Sequence, residues 1–257
     1  ECNICGVAAF MNCMYGFRHR PHDVLITKGR CINMKEDFME LKKAIEERRS
    51  VRGYKKDPVS KETLEKVLSL ATRAISGSNA QPWEIAVISG DTLKKIAEMN
   101  IESFLNGEEE DYEEASFNGV YRQRKIGIAK QLFGAMDIAR GDMEKRKWWT
   151  SRGFGFFDAP AAFIIYMDEE LSDLCKFDLG CLTQNICLAA MEYGLETCVA
   201  IQAVTYQKGL RKYTDIPENK KFVIGISIGY PDEDFPANKV VSERAPLEEV
   251  TSWYGFE

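Results

Sequence analysis

The chain has 257 residues, 45% of them hydrophobic and 29% charged, which suits one large globular domain or two small ones. A formal charge of −6 argues against a duplex-binding face, and the longest apolar runs (161–167, 222–230) fall far short of the roughly 20 residues of a membrane helix, so neither nucleic acid nor membrane is expected as a partner. The only histidines, His19 and His22, lie near the N-terminus; the body of the chain has no Ser-His-Asp or Cys-His nucleophile and no histidine zinc site, and must use other acids and bases or a bound cofactor.

Residues 1–33 stand apart. They hold Cys2, Cys5, Cys13 and Cys31, both histidines and no clear periodicity. A metal-binding extension built on Cys2-x-x-Cys5 is one reading, but the spacing fits no iron–sulfur run and there is no second pair for zinc. An export signal is another, but no basic stretch precedes an apolar core. The plainest reading is a leader or extension of uncertain role, with no metal, ahead of one domain at 34–257.

From Met34 the elements follow in order. Phe38, Leu41 and Ile45 recur at helical spacing. Ser60 caps a helix with Leu64, Val67, Leu68 and Ala71 on one face. Ser76–Asn79 reads as a loop, Glu84–Ser89 as a strand, and Asp91 as the cap of the next helix. Residues 106–114 are acidic, and 115–157 read as helical pieces around a mobile excursion, the whole of 106–157 being set apart as a lid or substrate excursion. Ala161–Met167 is a strand. Asp178–Tyr193 is a helix, apolar almost all round and stopped by Gly194. Cys198–Gln202 is a strand, Tyr206–Tyr213 a short helix, and Lys221–Tyr230 a strand running into the turn Gly229–Asp232. Strands this scattered among helices predict an α+β sandwich with helices on both faces of one sheet. The dispersed Cys175, Cys181, Cys187 and Cys198 read as reduced, buried thiols of a cytoplasmic protein.

Three stretches could carry chemistry. Arg48-Arg49-Ser50-Val51-Arg52 offers three guanidiniums and a hydroxyl, able to grip a phosphate in bidentate fashion, although cations closing a helix also simply complement its dipole. Ser76-Gly77-Ser78-Asn79-Ala80-Gln81-Pro82-Trp83 combines small residues, which let backbone N–H groups approach a ligand, with amides suited to the edge of a heterocycle. The third, Arg244 in Arg244-Ala245-Pro246-Leu247-Glu248-Glu249-Val250, would be an ordinary surface residue if read alone.

Taken in order with Gly194-Leu195-Glu196-Thr197 and Ile228-Gly229-Tyr230-Pro231, these stretches make the chain from about Met34 to Tyr254 resemble the nitroreductase family of FMN-dependent oxidoreductases. The resemblance implies a mainly antiparallel central sheet flanked by helices, an interlocked homodimer, two FMN molecules at the dimer interface, and NADH or NADPH as electron donor. It implies that Arg48 and Arg244 hold the FMN phosphate and that Arg49 and Ser50 contact the phosphate–ribityl region. Arg52 would then face the pyrimidine edge of the isoalloxazine. Ser76, Gly77, Ser78, Asn79 and the neighbouring Gln81 would reach the flavin from the partner subunit, and Ile201 and Gln202 would lie near flavin N5. No side-chain acid is implied there, so the flavin does the chemistry and no catalytic side chain is assigned.

The implied reaction is hydride transfer from NAD(P)H to an electron-poor small molecule: a nitroaromatic, a quinone or an activated alkene. Two alternatives are a deiodinase-like reductive dehalogenase and a flavin-binding protein without turnover. A deiodinase-like lid would need a Glu, a Tyr and a Lys; Glu108-x-x-x-Tyr112 imitates two of these, while Thr150, Ser151 and Arg152 stand where the lysine belongs. Trp148, Trp149, Phe154, Phe156 and Phe157 suit either a pocket for flat substrates or core packing.

Overall fold

The structure is a computed structural model that describes residues 39–112 and 116–256, together with the backbone of two short strands. The chain divides into two units, residues 1–38 and 39–257. In the first, β1 (Ile26–Thr27) and β2 (Arg30–Cys31) pair antiparallel. The readings made on Cys2, Cys5, Cys13, His19, His22, Met34 and Phe38 lie outside the described residues.

The second unit is built on one four-stranded antiparallel sheet in the order β3 (Glu84–Ser89), β4 (Ala161–Asp168), β6 (Lys220–Gly229), β5 (Glu196–Ala200). Strand β4 reads as an unbroken apolar run because both of its faces are covered. Phe163, Ile165 and Met167 pack with α2 (Lys61–Ala71) and α6 (Cys175–Met191) through Leu64, Val67, Leu179, Leu182 and Ile186. Ala162 and Ile164 pack on the other face with Leu93 and Ile96 of α3 (Gly90–Asn106) and with Phe156, Val204 and Leu210. A β-bulge between Ile165 and Tyr166 shifts the β4/β6 register, so that Ile226 and Ile228 serve the first layer while Phe222 joins the second.

The remaining helices are α1 (Leu41–Glu47), α4 (Gly119–Ala135), α5 (Met143–Phe154), α7 (Gln202–Thr205), α8 (Gln207–Tyr213) and α9 (Leu247–Val250). The α+β sandwich with helices on both faces is therefore present, and 119–154 is helical in pieces as expected. Ser60 caps α2 by accepting from the Thr63 N–H (3.2 Å). Gly194 takes φ +67, closing the turn after α6 as the C-terminal glycine of a helix does.

Four details depart from the sequence reading. Helix α3 is capped at Ser89, and Asp91 sits in its first turn. Helix α1 buries Ala44 and leaves Leu41 and Ile45 exposed. Helix α6 starts at Cys175 and presents a buried face with exposed residues opposite, including Phe177. The strand expected at Cys198–Gln202 is β5, two residues earlier, and the chain turns helical at Gln202. The cause of this last shift is non-local: Ala203 packs onto Gly225 of β6 so closely that a Cβ there would overlap it. Only a backbone leaving the sheet plane after Ala200 reaches that position.

Candidate functional site

The basic stretch leaves α1 and lies along the edge strand β5. Ser50 forms a parallel bridge with Thr197, and the Val51 N–H donates to the Thr197 carbonyl (3.0 Å). Val51 is fully buried, and the buried Tyr54 hydroxyl donates to the Val51 carbonyl (2.8 Å). The segment is thus anchored by the buried Val51 and Tyr54, and its arginines are half-buried around them.

Each guanidinium has its own environment. The Arg48 guanidinium makes no hydrogen bond or ion pair among the described residues, although its charge acts on the nearby Cys187 and Cys198. Arg49 is shared between Glu196 (3.5 Å) and the exposed Glu233 (3.1 Å). Burial raises the Glu196 carboxyl above the usual carboxylate range, with Arg49 opposing. Glu196 Oε2 and Arg49 Nε are buried without a hydrogen-bond partner. Arg52 Nη1 donates to the Ser50 carbonyl (3.1 Å), and its guanidinium lies over the Phe157 ring, 6.0 Å from the centroid. Neighbouring thiols and phenol are unsuited to nucleophilic work: burial pushes Cys198 up to about 11 and holds the Tyr54 hydroxyl well above its usual value.

Two side chains that the sequence reading did not assign to the site, the buried Asn238 and the half-buried Arg152, hold Arg52 in place. Asn238 accepts from the Arg52 N–H (2.7 Å) and donates to the Gly53 (2.7 Å) and Asp232 (2.9 Å) carbonyls. Gly53 must be glycine because a Cβ there would overlap the Phe235 ring. Arg152, at the end of α5, donates to the Arg52 carbonyl (2.8 Å). The available signal for Arg152 was its place where a lysine was sought; its target, a backbone carbonyl 100 residues away, had none.

The Ser76–Gln81 stretch forms a short 3₁₀ turn before β3. Ser78, Asn79 and Gln81 all adopt left-handed backbone (φ 52, 59 and 50), an uncommon conformation away from glycine. The Gln81 N–H donates to Ser76 Oγ (3.0 Å), Gln81 Nε2 to the Asn79 carbonyl (3.3 Å), and the Gly77 N–H to the Asp178 carboxylate at the start of α6 (3.2 Å). Gly77 through Gln81 are exposed. Asp178, which holds this turn, and Cys187, which senses Arg48, are nine residues apart on α6, or about 14 Å along its axis.

Arg244 is exposed and donates only to its neighbours among the described residues, reaching the Ser242 carbonyl (2.9 Å) and hydroxyl (2.8 Å). It helps line a cavity of about 750 Å³ against α4, with Phe117, Tyr121, Arg124 and Gln131. Ile201 and Gln202 are half-buried at the turn from β5 into α7, and the Gln202 amide packs against α5, where a Cβ on Gly153 would come within 2.5 Å of it. Among the aromatics, Trp149, Phe154, Phe156 and Phe157 are core residues and Trp148 is exposed. Glu108 accepts from the Ser103 hydroxyl (2.9 Å), and Tyr112 packs on the second core layer.

By residue type these donors suit a flat ligand bearing a phosphate, although no hydrogen bond or ion pair among the described residues joins Arg244 or the turn to the basic stretch. Arg48 and Arg244 are cations with no carboxylate partner among the described residues, and the exposed turn offers amides and hydroxyls from a backbone held in strained form.

Residues 45–230 match the Nitroreductase family, a span that includes the basic stretch, the Ser76–Gln81 turn, Ile201 and Gln202 but ends before Arg244. The chain is 34% identical over 214 residues to a nitrobenzene nitroreductase of Ectopseudomonas oleovorans, covering 81% of this chain and 94% of that one. It is 32% identical to a chloronitrobenzene nitroreductase of Comamonas testosteroni, with the same coverage of both chains. Its fold superposes with a TM-score of 0.78 on the crystal structure of the FMN-dependent nitroreductase NfnB from Mycobacterium smegmatis in complex with NADPH, at 29% identity over 83% of this chain and 97% of that one.

Proposed function

The chain belongs to the nitroreductase family, and on that premise we propose that it is an FMN-dependent oxidoreductase that draws hydride from NAD(P)H and reduces a nitroaromatic compound. The observation that carries the reading is the likeness, over 83% of this chain and 97% of the other, to an FMN-dependent nitroreductase crystallised with NADPH. The two relatives named for nitrobenzene and chloronitrobenzene favour a nitroaromatic over a quinone or an activated alkene.

FMN, when bound, supplies the redox chemistry: hydride acceptance from the nicotinamide and its delivery to the acceptor. The chain's own residues bind and orient. Arg48 and Arg244 take the phosphate. Arg49 exchanges its exposed partner Glu233 for the phosphate while keeping Glu196, and Ser50 supports it from the bridged segment. Arg52 supplies a fixed positive charge at the pyrimidine edge. Ile201 and Gln202 line the approach to the ring.

The Ser76–Asn79 turn and Gln81 act on the site of a second copy of the chain. Supporting this are the exposed position of the turn, with Gly77 through Gln81 all at the surface, and a set of exposed apolar side chains: Leu174 and Phe177 at the start of α6, and Trp253, Tyr254 and Phe256 in the last residues described. No helix among the described residues is long and apolar enough to cross a membrane, and we place the protein in the cytoplasm with its four described cysteines reduced.

The test is anaerobic stopped-flow mixing of the purified yellow protein with NADH or NADPH, followed by nitrobenzene. The expected result is loss of flavin absorbance with one nicotinamide and its return with the nitro compound. A flavin that stays oxidised with both donors would remove the enzymatic reading and leave a flavin-binding protein.

A further inference from the structure

Arg152 is one of the least exposed cations among the described residues. Its side chain is 13% exposed, and its guanidinium is spread over three acceptors: the Arg52 carbonyl (2.8 Å), the Phe157 carbonyl (3.3 Å) and the Asp158 carboxylate (2.7 Å). Its flat faces lie over Phe235 (4.8 Å to the centroid) and Trp148 (5.6 Å). An arginine sunk among rings, with two of its bonds on main-chain carbonyls, is placed to hold backbone rather than to bind solute.

The backbone it holds needs holding. Phe156, Phe157 and Asp158 take φ values of 56, 54 and 59, three consecutive non-glycine residues in the left-handed region. Such a turn persists only where its surroundings over-determine it. Arg152 bonds two of the three residues directly. The turn presents the buried Phe157 ring, and over that ring lies the guanidinium of Arg52. The same Arg152 therefore fixes both the ring and the main chain of the residue above it. Asn238 secures the N–H of Arg52 from the other side.

We propose that Arg152 is a positioning residue for Arg52: by tying the Arg52 carbonyl to the left-handed Phe156–Asp158 turn, it sets the Arg52 guanidinium in the one orientation from which it meets the flavin. The proposal rests on the cofactor reading of Arg52 given above. It also gives the end of α5 a function in the cofactor site, which neither its sequence nor its distance along the chain from the basic stretch suggests.

The test is a double-mutant cycle read as FMN affinity. Apo-protein of the wild type, R52Q, R152Q, R152K and R52Q/R152Q is titrated with FMN by quenching of flavin fluorescence, with circular dichroism and thermal melts to establish folding. R52Q is expected to weaken FMN binding about tenfold, the effect of losing one contact to a charged group. R152Q is expected to weaken it roughly three- to tenfold, and R152K about two- to threefold, because an ammonium still reaches one carbonyl. The double variant should match R52Q within about twofold, since a residue that works through Arg52 has nothing left to position.

The proposal is overturned if the double variant shows the product of the two single effects, or if R152Q binds FMN as the wild type does while R52Q does not. If R52Q itself binds FMN normally, the cofactor reading of Arg52 fails and the positioning role fails with it, a result distinct from the other two. Should R152Q not fold, the same cycle is run with R152K, whose smaller effect must likewise vanish in the R52Q background.

Discussion

Removing the Asn238 carboxamide should destabilise the fold by an amount that its partners fix. Asn238 is 2% exposed and makes three hydrogen bonds, whose pattern of one donor and two carbonyls leaves a single orientation for the amide. In Asn238→Ala the losses are unequal. The Gly53 carbonyl still accepts from the Asp232 N–H (3.1 Å), and the Asp232 carbonyl from the Phe235 N–H (3.1 Å). Only the Arg52 N–H loses its partner outright. One orphaned donor costs about 1–3 kcal/mol and each of the two partial losses about 0.5 kcal/mol, giving about 2–4 kcal/mol in all. In a domain of this size that is a fall in Tm of roughly 4–16 °C. Urea denaturation should show the midpoint moving at constant m-value. Asn238→Asp sharpens the test. Its oxygen can still accept from Arg52, but its ionised form faces two carbonyls, so its folded-state pKa is raised. Its stability is then highest below the unfolded carboxyl pKa of about 3.9 and is lost as pH rises through the folded value. A loss below about 1 kcal/mol for the alanine variant, or wild-type stability of the aspartate variant at pH 7, would refute the reasoning, because the segment would then be held by its bridge to β5 alone.

Other expectations follow from the same geometry. Arg244→Ala should weaken FMN binding by about 10- to 100-fold in a fluorescence titration, as loss of one charge-assisted contact implies; an unchanged affinity would remove Arg244 from the phosphate site. Glu196 has a carboxyl raised by burial, so it favours folding most below its unfolded pKa and opposes it as pH climbs through the folded value. Glu196→Gln should flatten that part of the stability–pH profile measured by denaturant midpoints, and an unaltered profile would mean that Arg49 fully compensates the burial. If the flavin sites are shared between subunits, refolding Arg52→Ala with Asn79→Ala should place both lesions in one site of a mixed dimer. Activity should then return to roughly a quarter of the wild-type level, assuming free exchange by mass action. No return, with mixed dimers proven by mass spectrometry, would mean that each site is built within one chain.

The sequence disclosed what local chemistry decides. Ser60, Gly194 and the apolar stripe Leu64, Val67, Ala71 marked their helix ends and faces because caps and periodicity act within a few residues. Ala161–Met167 was legible as a strand because burial on both faces leaves no polar residue in it. What stayed hidden depends on distant partners. The end of β5 is set by the fit of Ala203 on Gly225, and Leu41 and Ile45 are exposed because among the described residues α1 buries only Ala44. At the site, the basic stretch and the Ser76–Gln81 turn could be singled out by residue type. The pairing of Arg49 with Glu196 and Glu233 could not, because those carboxylates arrive from β5 and from the turn after β6, far along the chain. The left-handed turns at 78–81 and 156–158 carry no glycine to announce them.

The Arg48–Tyr54 segment also guards the sheet. By bridging to Thr197 it occupies part of the outer rim of β5, a strand whose Val199 is 39% exposed and whose free N–H and C=O groups would otherwise be a template for a stray chain. Cover of the sheet edge and, on the proposed reading, cofactor binding thus share one stretch of polypeptide. Substitutions that loosen it would be met in the laboratory first as insoluble protein, and the selection that keeps the chain from self-association would preserve the basic residues' surroundings even where turnover was not under test.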